Sequence, residues 1–281
     1  MDEIKVGKRK KRVGGKILKR IAIAIVTLLS LFPIAWIVLT SLKTDVEAVA
    51  MPPKWIFRPI YQNYIEALIE KGFLENFLNS VIVACVSIFI VLLVGVPAAY
   101  SLARFSFRGK KDIAFWILST RMAPPITFLI PFFLMFRTLG LNDTLVGLII
   151  LHITINLALV IWMMRGFFQE IPVEVEEAAM VDGCSPLQAF FKISVPIAST
   201  GIFATAILSF IFSWNELMFA IVLSSNKAVT APAAIYNFIG YYEVRWGVLC
   251  AASVIVLVPV MVFIMLVQKN LIRGLTFGAI K

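Results

Sequence analysis

Six stretches of the chain are each about twenty residues long and almost free of charge, and nothing else in the sequence restricts the fold so strongly. They run roughly from Ile17 to Thr40, Phe77 to Leu102, Ile113 to Phe136, Thr144 to Met164, Ile197 to Ser224 and Trp246 to Val267. At about 1.5 Å per residue, a helix of that length crosses a hydrocarbon layer of about 30 Å. In such a layer every backbone N–H and C=O needs a partner within the protein, and a helix supplies them all. The expected fold class is therefore all-α: a polytopic membrane protein with six transmembrane helices over 17–267, a basic arm at 1–16 and a tail at 268–281. With 60% apolar and 15% charged residues, the chain has too little polar surface to coat a water-soluble globule.

The formal charge of +10 does not point to nucleic acid, because the basic residues gather where a membrane protein needs them. Nine lie between Lys5 and Arg20; others form the Arg104, Arg108, Lys110, Lys111 turn and the tail with Lys269, Arg273 and Lys281. Lys and Arg mark cytoplasmic segments, so both termini are expected inside. The first apolar stretch follows basic residues as a signal peptide would, but it is long and lacks a small-residue cleavage site, which reads as a retained span. Cys85, Cys184 and Cys250 are far apart, with no CxxC pair and one histidine, so neither a disulfide framework nor a metal site is expected. The gap from Lys43 to Asn76 is too long for a turn and carries Pro52, Pro53, Trp55, Pro59, Tyr61 and Tyr64, which predicts a folded cap or an interfacial helix. A second extracytoplasmic feature is expected between Ser225 and Arg245.

The segment 171–196, cytoplasmic by parity, is acidic instead of basic and has the punctuation of two short helices. Pro172 suits a first helical turn, Glu174, Glu176 and Glu177 complement the helix dipole, and Gly183 is placed to close the helix in a left-handed conformation. Ser185 and Pro186 restart the chain as cap and first helical residue. Val175, Ala178, Ala179 and Asp182 share one face, and a helix with an acidic rim and small residues has little to bury against in its own chain. The segment reads as a docking knob for another protein.

These same residues carry a resemblance. Glu177-Ala178-Ala179, three residues, Gly183, nine residues, Ile193, one residue and Val195-Pro196 is similar to the EAA loop of permeases in ABC importers, with valine for leucine as the one departure. Asn79-Ser80, Ala99 to Phe105, Ser213 to Glu216, Trp246-Gly247 and Gly274 to Lys281 extend the likeness over the whole chain, toward carbohydrate-uptake permeases of the maltose-importer second-subunit type. The resemblance implies a permease subunit in a prokaryotic cytoplasmic (inner) membrane that forms half of a path for a sugar or polyol. It implies a second homologous permease, two copies of an ABC ATPase subunit and an extracytoplasmic solute-binding protein as partners. It implies that Glu177, Ala178, Ala179, Asp182 and Gly183 form a coupling helix seated in the ATPase and that Gly274, Gly278 and Lys281 lie in an ATPase-contacting tail. Tyr236, Phe238, Tyr241 and Tyr242 fall in the loop that it directs to the binding protein. No GxxxxGK[ST] loop occurs in the chain, so ATP and Mg belong to the partner ATPases, and no cofactor is expected on this subunit.

Ionisable and amide groups inside a membrane cost enough to need a purpose. Arg121, His152, Asn156, Asn215 and Glu216 are the candidates. Arg121 is read either as a clamp on carbonyls freed by Pro124 and Pro125 or as a pore residue, and His152 as packing or a proton relay. Asn156, Trp214, Asn215 and Glu216 are the candidate translocation path, with helix packing as the competing role. Amides and aromatics fit a sugar path because they offer hydroxyls both donors and acceptors, and the ring a flat face. An embedded enzyme would need a His, Asp or Cys cluster that is missing here. An ion-driven secondary carrier would need several buried carboxylates, against which Glu216 stands alone.

Overall fold

In the computed structural model the described residues are 2–239 and 244–276, with side chains described for 18–236, 238–239, 244–263 and 265. In chain order the helices are α1 (Asp2–Ser41), α2 (Asp45–Ala48), α3 (Gln62–Ile65), α4 (Phe73–Arg104), α5 (Lys110–Ser119), α6 (Ile126–Thr138) and α7 (Leu145–Glu170). They are followed by α8 (Val173–Val181), α9 (Pro186–Ala189), α10 (Val195–Ile197), α11 (Ser199–Trp214), α12 (Met218–Leu223), α13 (Ala231–Asn237) and α14 (Trp246–Thr276). Among the described residues the only β-type pairing is an isolated antiparallel bridge between Ile239 and Val244.

Four of the six predicted stretches are single helices: α1 from Leu18, α4, α7 and α14. The other two are interrupted. Between α5 and α6 the chain tightens, with the amides of Arg121 and Met122 bonding carbonyls three residues back, and it then meets Pro124 and Pro125, which have no N–H to continue a helix. The fifth stretch stops at Trp214 because the Glu216 carboxylate accepts the amides of Phe219 and Ala220, capping α12 as a separate piece. Before α11 the chain turns by 71° from Pro186–Ile197. The all-α membrane class stands, while the third and fifth crossings are broken rather than continuous.

The chain divides into two compact units, Met1–Lys71 with Phe238–Ile255 and Gly72–Asn237 with Val256–Lys281. In the first, the expected cap does fold. Lys43 is buried with its ammonium over Trp36 at 4.7 Å and Phe57 at 5.0 Å. Asn63 Nδ2 ties the carbonyls of Ser41 and Lys43, and Arg245 bridges Asp45 and Glu66.

The second unit is built on α4 against α7. Val91, Val96, Ala99 and Leu102 of α4 pack with Val160, Ile161, Met164 and Phe168 of α7. Trp214 of α11 stacks on Phe210 at 5.3 Å, meets Phe77 edge-on and donates from Nε1 to the Val256 carbonyl. At the start of α7, Thr144 caps the amide of Gly147, and a Cβ on Gly147 would overlap the Leu141 carbonyl oxygen. Gly147→Ala is expected to cost roughly 2 kcal/mol, seen as a lower unfolding midpoint in detergent. Gly166→Ala on the same helix meets nothing within 4 Å and should be neutral or stabilising, so equal midpoints for the two variants would refute the packing account.

Candidate functional site

The loop joining α7 to α11 is assembled by local rules first. Pro172 lies one residue before α8, as its N-cap, and Glu174 and Glu176 fall in the first turn, where carboxylates face the positive end of the helix. The helix closes as expected: Gly183 has φ +94°, its amide bonds the Met180 carbonyl and the Cys184 amide bonds that of Ala179. Ser185 accepts from the Gln188 amide, Gln188 Oε1 accepts from the Ser185 amide, and Pro186 opens α9.

The helix is not an isolated knob, however. Two of its residues turn inward, Glu176 at 4% and Ala179 at 9% exposure. Glu176 is gripped from three directions. Tyr100 Oη donates at 2.9 Å, Arg104 Nε at 2.9 Å and Ser194 Oγ at 2.8 Å, while Arg104 Nη2 reaches the Ile171 carbonyl at 2.8 Å. Burial alone would raise the pKa of this carboxyl, but the hydrogen bonds from Arg104, Ser194 and Tyr100 and the Arg104 charge outweigh it and hold it below the ordinary value. Of the five residues assigned to docking, Glu177, Ala178, Asp182 and Gly183 are exposed. Ala179, the fifth, is largely buried within this chain and presents little surface. The outward side of α8 and α9 carries apolar groups that nothing among the described residues covers, with Val181 at 87% and Leu187 at 67% exposure.

A second feature lies between the interrupted crossings. A cavity of about 630 Å³ is lined by Thr120, Arg121, Ala123 and Pro125 from the α5–α6 break, and by Phe128 and Phe132 of α6. Thr154, Ile155 and Asn156 of α7, Phe212 of α11, and Glu216, Met218 and Phe219 around the α11–α12 break complete it. Asn156 is buried and donates to the His152 carbonyl, leaving Oδ1 without a partner. His152 Nδ1 meets Ser213 Oγ at 2.5 Å, and its Nε2 lies 4.0 Å from Glu216 Oε2 without a hydrogen bond. Arg121 does not clamp the proline carbonyls; it donates to the Ile155 carbonyl at 3.0 Å and lies over the Phe212 ring. Asn156 and Glu216 are thus brought together in one cavity. Trp214 belongs to the aromatic packing of α11, and Asn215 points its amide back to Ile211 on its own helix.

The residues after α12 show a device that the sequence reading missed. Asp143, a non-glycine residue at φ +57°, presents its carboxylate to the amides of Ser225, Asn226, Lys227 and Ala228, while its own amide donates to the Leu223 carbonyl. From the other side Asn79 Nδ2 donates to the carbonyls of Lys227 and Val229, and Ser80 Oγ accepts the Ala231 amide. The signal was present in Asn79-Ser80, but nothing local links it to residues some 150 positions away. Of the aromatic candidates in this region, Tyr236 is exposed and Phe238 half-buried, and Tyr241 and Tyr242 lie outside the described residues. Gly274 is on the last turns of α14, whereas Gly278 and Lys281 also lie outside them. Among the described residues no group of three His, Cys, Asp or Glu is placed to hold a metal ion.

Comparison with known proteins places these features in context. Residues 92–277 match the family model described as binding-protein-dependent transport system inner membrane component. A trehalose transport system permease protein of Mycobacterium tuberculosis is 37% identical, over 90% of this chain and 93% of its own length. A sulfoquinovosyl glycerol transport system permease protein of Agrobacterium fabrum is 36% identical, over 95% of each chain. A solved chain of a bacterial ABC transporter that imports the acidic polysaccharide alginate superposes with a TM-score of 0.77 at 26% identity, covering 93% of this chain and 97% of that one.

Proposed function

Because this chain belongs to the family of binding-protein-dependent transport system inner membrane components, we infer that it forms half of the membrane path of an ATP-driven importer for a sugar or a glycosylated polyol. It is a transport subunit, and ATP is hydrolysed by separate subunits. The partners are a second permease, two ATPase subunits and an extracytoplasmic solute-binding protein. The observation that carries the reading is the exposed tip of α8, with Glu177, Ala178, Asp182, Gly183 and the bare Val181 presented outward from a helix whose inner face is already anchored. A short helix that keeps apolar groups in water calls for a protein surface to cover them.

In this reading α8, the tail and both termini are cytoplasmic, and the loop carrying Tyr236 and Phe238 is on the opposite side, toward the binding protein. Magnesium and ATP are held by the ATPases. When these close on ATP, α8 is carried with the cleft that holds it, and the interrupted crossings open the cavity to a delivered solute. The cavity suits a carbohydrate: Thr120, Arg121 and Thr154 offer hydrogen bonds, and Phe128, Phe132 and Phe212 offer faces to a sugar ring.

Two experiments test this. Affinity purification of the tagged chain from its own host should retain an ATPase and a second permease, and recovery of the chain alone would defeat the importer assignment. For the path, Thr154→Cys in a background lacking Cys85, Cys184 and Cys250 is expected to react with a charged, membrane-impermeant thiol reagent, while Leu93→Cys on the lipid-facing side of α4 does not. Equal protection of both positions would rule out a water-filled path at this cavity.

A further inference from the structure

We propose that the buried Glu176–Arg104 pair is a strut that makes α8 and the end of α4 move as one body, so that Glu176 and Arg104 are positioning residues for the stroke. The proposal rests on α8 being the element that the ATPases move. An exposed docking helix nine residues long has no stiffness of its own toward the rest of the chain, since its ends are joined by turns. A push on it reaches the membrane only through side-chain contacts on its inner face, and in α8 that face has two buried residues, Glu176 and the small Ala179.

Glu176 is well made for transmission. Its Oε1 accepts from both Arg104 Nε and Ser194 Oγ, and its Oε2 accepts from Tyr100 Oη. Tyr100 and Arg104 sit one turn apart at the end of the long helix α4, and Ser194 precedes α10, through which the chain enters α11. The carboxylate is therefore bonded to elements leading into two different crossings. The arginine extends the hold beyond α8, since its Nη2 carries the Ile171 carbonyl just before the helix starts. The rings around the pair resist shear: Tyr100 lies 5.3 Å from Phe168 and 4.6 Å from Phe190. Charged, directional bonds in a closed-off pocket fix distance and angle together, which apolar packing alone does loosely.

The strut is separable from simple fold stability. Removing one partner of a buried pair leaves an uncompensated charge and destabilises, whereas replacing both by apolar residues of similar size is often neutral or stabilising. Glu176→Gln keeps the shape and lowers the charge; Glu176→Leu with Arg104→Met removes the charges and the directional bonds together. Each is tested in the assembled importer in proteoliposomes, with spin labels at Val173, exposed in the first turn of α8 and outside the docking tip, and at Leu93 on α4. In the unaltered pair the label-to-label distance distribution is expected to stay single and narrow in the nucleotide-free state and in the state trapped with ATP, magnesium and orthovanadate.

In the double variant, with the ATPase still bound at the normal ratio and the unfolding midpoint unchanged or raised, the distribution should at least double in width on trapping. Glu176→Gln should fall between. A double variant that stays narrow in both states overturns the strut and leaves the docking role of α8 intact. Failure of the ATPase to co-purify with the unaltered chain would instead defeat the reading on which the strut rests. Should Glu176→Gln fail to accumulate, the double variant alone decides, because its buried charge has been removed.

Discussion

Reversing the charge of Glu177 to lysine is expected to lower the ATPase that co-purifies with this chain by tenfold or more, while leaving membrane insertion and the unfolding midpoint unchanged. Glu177 is exposed and takes part in no ion pair or hydrogen bond found among the described side chains, so its loss costs the chain's own fold little. Its neighbour Glu176 carries the structural burden, and the contrast between adjacent glutamates makes the test clean. Placing a cation where a partner expects an anion costs several kcal/mol at an interface, and each 1.4 kcal/mol is tenfold in affinity. Gly183→Val should produce the same loss by another route. Nothing crowds the position, but φ +94° is a conformation that a β-branched residue adopts only with strain, so the cap that sets the direction of Cys184 and Ser185 would unwind. Stoichiometric ATPase on both variants would show that α8 is not the dock, wherever else the subunits touch.

The contrast between Glu176 and Glu177 also shows how far sequence reasoning reached. Much about α8 and α9 that depends on neighbours within four residues was readable: the left-handed Gly183, the Ser185 cap and Pro186 at the first helical position. The long apolar runs were readable too, because twenty uncharged residues have few alternatives to a membrane helix. The adjacent prolines Pro124 and Pro125 announced a broken helix, although not that Arg121 would leave them for the Ile155 carbonyl. What was not readable depends on partners far away in the chain. Glu176 looked like one more member of an acidic rim until Arg104, 72 residues earlier, was seen to take it. Trp214, grouped with Asn215 and Glu216 by adjacency, faces a different neighbour from either, because a break in the helix separates them and adjacent positions there point to different surroundings. In the cavity the same limit applies: Asn156 and Glu216 were each suspicious alone, but only the tertiary fold puts both in the lining of one cavity.

Asp143 is the largest effect that no local pattern foretold. Its carboxylate is the shared acceptor for the four successive amides from Ser225 to Ala228, and its own amide holds the end of α12. Asp143→Ala removes the acceptor and leaves an alanine in a positive-φ conformation that aspartate and asparagine tolerate better. The expected loss is about 3 kcal/mol, the scale of one or two charge-assisted hydrogen bonds after water has compensated the rest. Fast hydrogen exchange should appear at the amides of 225–228 and leave α4 and α7 protected. Asp143→Asn, which keeps an acceptor and suits the backbone, should lose about half as much. The pH dependence follows from the same contacts. Burial would raise this carboxyl, but the amides of Ser225, Asn226, Lys227 and Ala228 draw it down from the ordinary value of 3.8 to about 2. A group whose folded pKa is depressed stabilises the fold above its unfolded pKa, and that stability disappears as the pH falls through the folded value. The difference in unfolding midpoint between the native chain and Asp143→Asn should therefore be constant from pH 7 down to about 4 and shrink between about 4 and 2. A difference that stays constant to pH 2, or amides at 225–228 that remain protected in Asp143→Ala, would mean that Asn79 and Ser80 hold this loop without the aspartate.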